Sequence, residues 1–312
     1  MRVGTQSPEP AEPRITVLAV GGTGESSVDD TRTSVSGMLA GVTAALDERF
    51  DSRWVAYPAS YGPAPRLDGM SYVRSLTQGG RNLRRALDDT VGPVMLIGYS
   101  QGAVVIRNTL HDLWRVGDPV LERVSAIGFV ADPHQPPGAV TGCAGWGLAG
   151  PGPELPPGIP AHWVGTPDDA ICNASSDSLL RDVADLTAAM AFGRLGDWAS
   201  ALWNMLRSNT FQNASRTRLG PAQMRRDVVR LCSALREVLG YLPGAIVWRS
   251  LVVRNRSGGR HTSYAREPYR HAPVTDPETT GCESLAGWLQ VCATFAGFMV
   301  RGHGIGVRLT TR

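Results

Sequence analysis

The sequence predicts an α/β fold in which a parallel sheet is covered by helices on both faces. Three observations lead there. Continuous apolar runs recur at ITVLAV (15–20), VMLIGYS (94–100) and SAIGFVADP (125–133), and a strand buried on both faces needs an unbroken run of this kind. Stretches with helical spacing alternate with these runs, which is the pattern of βα units. Hydrophobic residues make up 42% of 312 residues, enough to build one sizeable core.

The elements follow in order. Residues 1–14 read as a disordered N-terminus. ITVLAV ends in the tight loop GGTGESS, and residues 28–48 read as a helix with an acidic, Ser-rich start. RWVAYPAS (53–60) reads as a short strand, and residues 70–90 as a helix with Leu76, Leu83 and Leu87 on one face. VMLIGYS leads directly into a helix, QGAVVIRNTLHDLW (101–114). After SAIGFVADP come a Gly/Pro-rich loop (134–160) and a short strand in PAHWVGTPDDAIC (160–172). Residues 176–240 show helical periodicity at 179–191, 197–206 and 221–239 and read as a helical insertion. The core is therefore expected to comprise 15–175 and 241–312, with GAIVWRSLVV (244–253) as a strand and 281–300 as a closing amphipathic helix.

Several function classes drop out. The net charge of +3 gives no footprint for nucleic acid. The basic residues are all arginine, so P-loop lysines, Schiff-base lysines and Ser-Lys dyads are absent. GGTGESS lacks the third glycine of a dinucleotide loop, and the five cysteines form no CxxC pair. The expectation is a site with no metal and no cofactor. The stretch 281–300 carries Glu283 and Gln290 and has helical apolar spacing, so it reads as a buried helix and not an integral membrane segment. No apolar h-region precedes Ile15, which predicts no secretory signal.

The chemistry centres on GYSQG (98–102). A nucleophile on a sharp strand-to-helix turn needs small residues two before and two after it, and Gly98 and Gly102 supply them around Ser100. A serine hydroxyl needs a histidine base, and the base needs an orienting carboxylate. In the α/β-hydrolase arrangement these follow in the order Ser, Asp, His. Asp168 and Asp169 stand in the turn after HWVG, with Asp132 as a competitor. His261, His271 and His303 follow in order, and His261 sits in the polar loop before the last helix. The backbone N–H of Gln101 and a donor from Thr23 in GGTGESS are the candidate oxyanion hole.

These residues together resemble a family. GYSQGA (98–103) is similar to the elbow of cutinase-like serine esterases, and GGTGE (21–25) to the loop carrying their Ser/Thr oxyanion residue, here Thr23. DAIC (169–172) resembles their acid motif and selects Asp169; HTSY (261–264) resembles their His-x-x-Tyr base motif and selects His261. The long stretch between acid and base, with YPASYGP (57–63), makes the chain most similar to the lysin B family of mycobacteriophages. That resemblance implies a cutinase-like α/β-hydrolase core with a helical linker domain. It implies an esterase that cleaves mycolic acids from arabinogalactan through an acyl-enzyme. It also implies accumulation in the host cytoplasm and action on the cell envelope at lysis. Tyr99 beside the nucleophile, and Trp198, Trp203 and Leu206 of the insertion, are then expected to line the acyl chain. Two departures stand out. Gly165 occupies the position of the family's disulfide partner, leaving Cys172 to pair with Cys143 or stay free, and ADPHQPP replaces the family's Gly-Asn-Pro pattern.

Overall fold

The computed structural model describes residues 14–62, 68–176, 178, 180–181, 245–248, 251–255 and 258–302. Five parallel strands form the central sheet: β1 (Ile15–Val20), β2 (Phe50–Trp54), β3 (Val94–Tyr99), β4 (Val124–Val130) and β5 (Ala161–Val164). Their spatial order is β2-β1-β3-β4-β5. The chain runs outward from β1 to β2 and then crosses back past β1 to β3. That reversal opens a crevice at the carboxyl ends of β1 and β3, the place where open α/β sheets bind ligands.

Alternation along each strand divides the core in two. Leu18, Val20, Leu96, Ile127 and Phe129 point to one face, which α2 (Tyr72–Asp88) and α3 (Gln101–Arg115) cover. Val17, Ala19, Met95, Ile97 and Val130 point to the other, covered by the short α1 (Ala40–Thr43) and the long α4 (Gly281–Gly302). The three central strands β1, β3 and β4 are buried on both sides, which is why their sequences read as unbroken apolar runs. In α4, Leu285 and Leu289 are fully buried. No helix is long and apolar enough to cross a membrane among the described residues.

Three expectations change. The strand expected at 53–60 runs instead over Phe50–Trp54, and residues 55–60, with Pro58 unable to donate to a ladder, form no strand. Residues 28–36 are not helical; a 3-10 turn (Gly37–Leu39) and α1 are all that forms within 28–48. Asp30 explains it. Its carboxylate accepts from Ser26 Oγ (2.7 Å), Trp54 Nε1 (3.0 Å) and the Arg32 backbone and side chain, so local side-chain bonds outcompete the helical ladder. The run 244–253 is an antiparallel hairpin, β6 (Ala245–Trp248) with β7 (Leu251–Arg254), not one strand. Arg249 and Ser250 interrupt the run at the point where it divides. The N-terminal residues 1–13, nearly all of the insertion 176–240, and Trp198, Trp203 and Leu206 with it lie outside the described residues.

Candidate active site

Ser100 stands where β3 ends and α3 begins, with φ 51° and ψ −116°. A non-glycine residue at positive φ stores on the order of 1–3 kcal/mol of strain and persists only where its surroundings impose it. They do here. The Ser100 N–H donates to the Val130 carbonyl (3.0 Å) and the Ala103 N–H donates to the Ser100 carbonyl (3.0 Å). The turn also presses helix against strand. A Cβ at Gly102 would lie 1.9 Å from the Val20 carbonyl oxygen, and one at Gly98 would lie 2.7 Å from the Ala103 Cα. Both positions admit glycine alone, and the elbow lifts a partly exposed hydroxyl above the crevice.

His261 meets that hydroxyl from a 3-10 turn (Arg260–Thr262) in the loop before α4. Its Nε2 is 3.0 Å from Ser100 Oγ, and its Nδ1 is 2.9 Å from Asp169 Oδ2. An ionised carboxylate can only accept, so Nδ1 carries the hydrogen and Nε2 is left as the acceptor for the serine proton. Tyr99 backs the imidazole. Its ring stacks on it with centroids 5.1 Å apart, and its hydroxyl donates to the His261 carbonyl at 2.8 Å. Tyr99 is buried and in contact with the histidine, a role the sequence reading did not assign to it.

Asp169 is fully buried in the loop after β5. Oδ2 accepts from His261 and from the Tyr264 hydroxyl (2.7 Å), while Oδ1 accepts from the Ile171 N–H (3.0 Å). Burial pushes the carboxyl up. The His261 imidazole and the donors Tyr264 and Ile171 outweigh it and hold the group below its ordinary value. The competing residues are engaged elsewhere. Asp168 is exposed. Asp132 is buried against Arg107 Nη2 (2.7 Å), Trp163 Nε1 (3.0 Å) and the His134 N–H (2.9 Å). The exposed His271 bonds the Thr141 carbonyl through Nε2 at 2.8 Å, and His303 lies outside the described residues.

Thr23 and Gln101 face each other across the crevice, Thr23 Oγ1 donating to Gln101 Oε1 at 3.0 Å. Gln101 Nε2 donates onward to the Ser60 carbonyl at 3.1 Å. Glu25, which motif reading did not single out, braces the loop. Its Oε2 accepts the Gly22 N–H and its Oε1 the Met38 N–H, both at 2.7 Å. The segment YPAS adds three bonds: Gly24 N–H to the Ala59 carbonyl (2.8 Å), Tyr57 Oη to the Gly21 carbonyl (2.7 Å) and Tyr57 N–H to Ser26 Oγ (3.2 Å). One signal was available in the sequence: a carboxylate three residues after Gly22 can reach back to its N–H. Cys143 and Cys172 are both free thiols, and among the described residues no His/Cys/Asp/Glu group could hold a metal ion.

Residues 49–151 match the PE-PPE domain. That stretch runs from β2 through the elbow to the loop after β4, so it includes Ser100 and Gln101 but neither Asp169 nor His261. The placement of Asp169 and His261 beside Ser100 therefore rests on the geometry. Among curated proteins no sequence match was found. Similar solved structures include a cutinase-like protein from Cryptococcus sp., at 16% identity and TM-score 0.38, covering 62% of this chain and 90% of that one. Another is alpha/beta hydrolase domain-containing protein 10 from mouse, at 15% identity and TM-score 0.25, covering 41% and 42%. Likenesses at this level add nothing to what the topology and the elbow establish. The sheet order and the elbow are those of an α/β-hydrolase fold, and residues 49–151 within it are similar to the PE-PPE domain.

Proposed function

We propose that the protein is a serine esterase acting on lipid esters through an acyl-enzyme, with Ser100 as nucleophile, His261 as base and Asp169 as the orienting acid. One observation carries this reading: a strained, partly exposed serine hydroxyl lies 3.0 Å from an imidazole whose other nitrogen lies 2.9 Å from a fully buried carboxylate. Ser100 Oγ attacks the acyl carbonyl carbon while its proton passes to His261 Nε2. The carbonyl π electrons move onto oxygen, and the backbone N–H groups of Thr23 and Gln101 receive the charge. Each such donor contributes on the order of 3 kcal/mol to lowering the barrier. The C–O bond to the alcohol then breaks, and His261 returns the proton to the leaving oxygen. Water, deprotonated by His261, attacks the acyl-enzyme and releases the acid and the free serine.

For the substrate, we propose the ester between mycolic acids and arabinogalactan, cleaved in the envelope after the protein accumulates in a host cytoplasm. The motifs GGTGE, GYSQGA, DAIC and HTSY, in that order with a long segment between acid and base, support it. Trp198, Trp203 and Leu206 are proposed to flank the acyl chain. A second reading is a cutinase-like lipase on simpler lipid esters, supported by the PE-PPE match over residues 49–151.

Turnover of a short p-nitrophenyl ester by wild type and Ser100→Ala, followed by release of mycolic acids from purified cell wall, separates these. We expect the alanine variant to lose about 10⁴-fold or more. Activity on the small ester with none on cell wall would favour the second reading.

A further inference from the structure

We infer that Tyr264 is a positioning residue that shares the acid with the base and thereby sets how tightly Asp169 holds the charged imidazole. The inference rests on the Ser100-His261-Asp169 reading above. The Tyr264 hydroxyl donates to the same oxygen, Asp169 Oδ2, that accepts His261 Nδ1, at 2.7 Å against 2.9 Å. Both donors come from one short loop, three residues apart, and the Cys282 N–H at the start of α4 anchors it by donating to the Tyr264 carbonyl at 3.0 Å. The phenol cannot step aside, because Tyr264 is buried and packs with Val164, Leu285 and other residues of the α4 face of the core.

Two donors on one carboxylate oxygen compete for the same electron density. The phenol withdraws part of the negative charge that would otherwise stabilise a protonated His261. The phenol thereby weakens the hold of Asp169 on the imidazole, and removing it should strengthen that hold. Among the described residues, the titratable groups around the acid keep one protonation state. Burial raises the Cys172 thiol, which lies 3.6 Å from the Tyr264 hydroxyl, well above its ordinary value. The same cause raises the Tyr264 phenol well above its own and the Cys143 thiol above its own, and pushes Tyr269 up to about 12. These groups hold their protons across the working range. Asp168 is exposed beside the acid, and on the far side of the imidazole stands the Tyr99 ring.

The test is the pH dependence of kcat/KM on p-nitrophenyl butyrate, measured with the full chain. Tyr264→Phe removes the competing donor, so the acid limb is expected to move to higher pH by about half a unit or more, with kcat reduced several-fold at neutral pH. Incorporating 3,5-difluorotyrosine at position 264 makes a stronger donor, and the limb is expected to move the other way. Opposite shifts support the inference, and the fluorinated protein decides alone if Tyr264→Phe does not fold. An unmoved limb, or a uniform loss at every pH, would overturn it as a merely structural effect. Wild-type turnover by Ser100→Ala is a separate result that would overturn the esterase reading and this inference with it.

Discussion

The Thr23 hydroxyl donates to the Gln101 side chain and so ties the loop after β1 to the first residue of α3. The bond links the two residues proposed above to supply the oxyanion N–H groups. The side chain of Gln101, itself bonded to the Ser60 carbonyl, works as a spacer.

Thr23→Val and Gln101→Leu keep both backbone N–H groups and remove the tie. We expect each to lower kcat about tenfold, roughly half the logarithmic loss of removing an oxyanion donor outright. Because both break the same bond and Gln101→Leu also loses the bond to Ser60, the double variant should cost little more than Gln101→Leu alone. Steady-state kinetics on a p-nitrophenyl ester through a double-mutant cycle measures this, and additive losses would contradict it.

Glu25→Ala releases the N–H groups of Gly22 and Met38 together. Each is a bond to an ionised acceptor, so a stability loss of about 2–4 kcal/mol is expected in urea unfolding, with a matching fall in kcat. Full activity in the folded variant would show that the oxyanion loop holds its shape without Glu25.

Gly102→Ala drives a methyl into the Val20 carbonyl, with backbone on both sides and no flexible atom to yield. A loss of about 4 kcal/mol or failure to fold is expected. A folded Gly102→Ala with wild-type melting temperature would refute the close approach of β1 and α3.

Asp169 and Asp132 should separate activity from stability. Asp132→Asn leaves the buried Arg107 without its carboxylate, costing about 3–5 kcal/mol, while turnover well below the melting temperature persists. Asp169→Asn should abolish most turnover. Its carboxyl is held below the ordinary value in the fold, so the stability it contributes is present above the unfolded carboxylate range, near pH 4, and is lost as pH falls through the lowered value. Urea midpoints of wild type and Asp169→Asn should therefore differ at neutral pH and converge as pH falls below about 4. Parallel curves across that range would contradict the assignment.

The short motifs were legible because each is local. Gly98 and Gly102 are demanded by one turn, and the placement of Asp169 and His261 after a strand and before a helix follows from chain order alone. Long-range bonds hid the rest. The fate of residues 28–36 depends on Asp30 meeting Trp54, and the role of Tyr264 on a carboxylate 95 positions away. Tyr99 read as a neighbour of the nucleophile; only the fold shows that it lies beneath His261.

The most direct measurement is covalent. Treating the protein with a fluorophosphonate and mapping the adduct by peptide mass spectrometry reports which oxygen the relay activates. We expect a single adduct on Ser100, much slowed in His261→Ala and absent in Ser100→Ala. Labelling at another residue, or none in a folded protein that still hydrolyses the ester, would contradict the assignment of Ser100 as nucleophile.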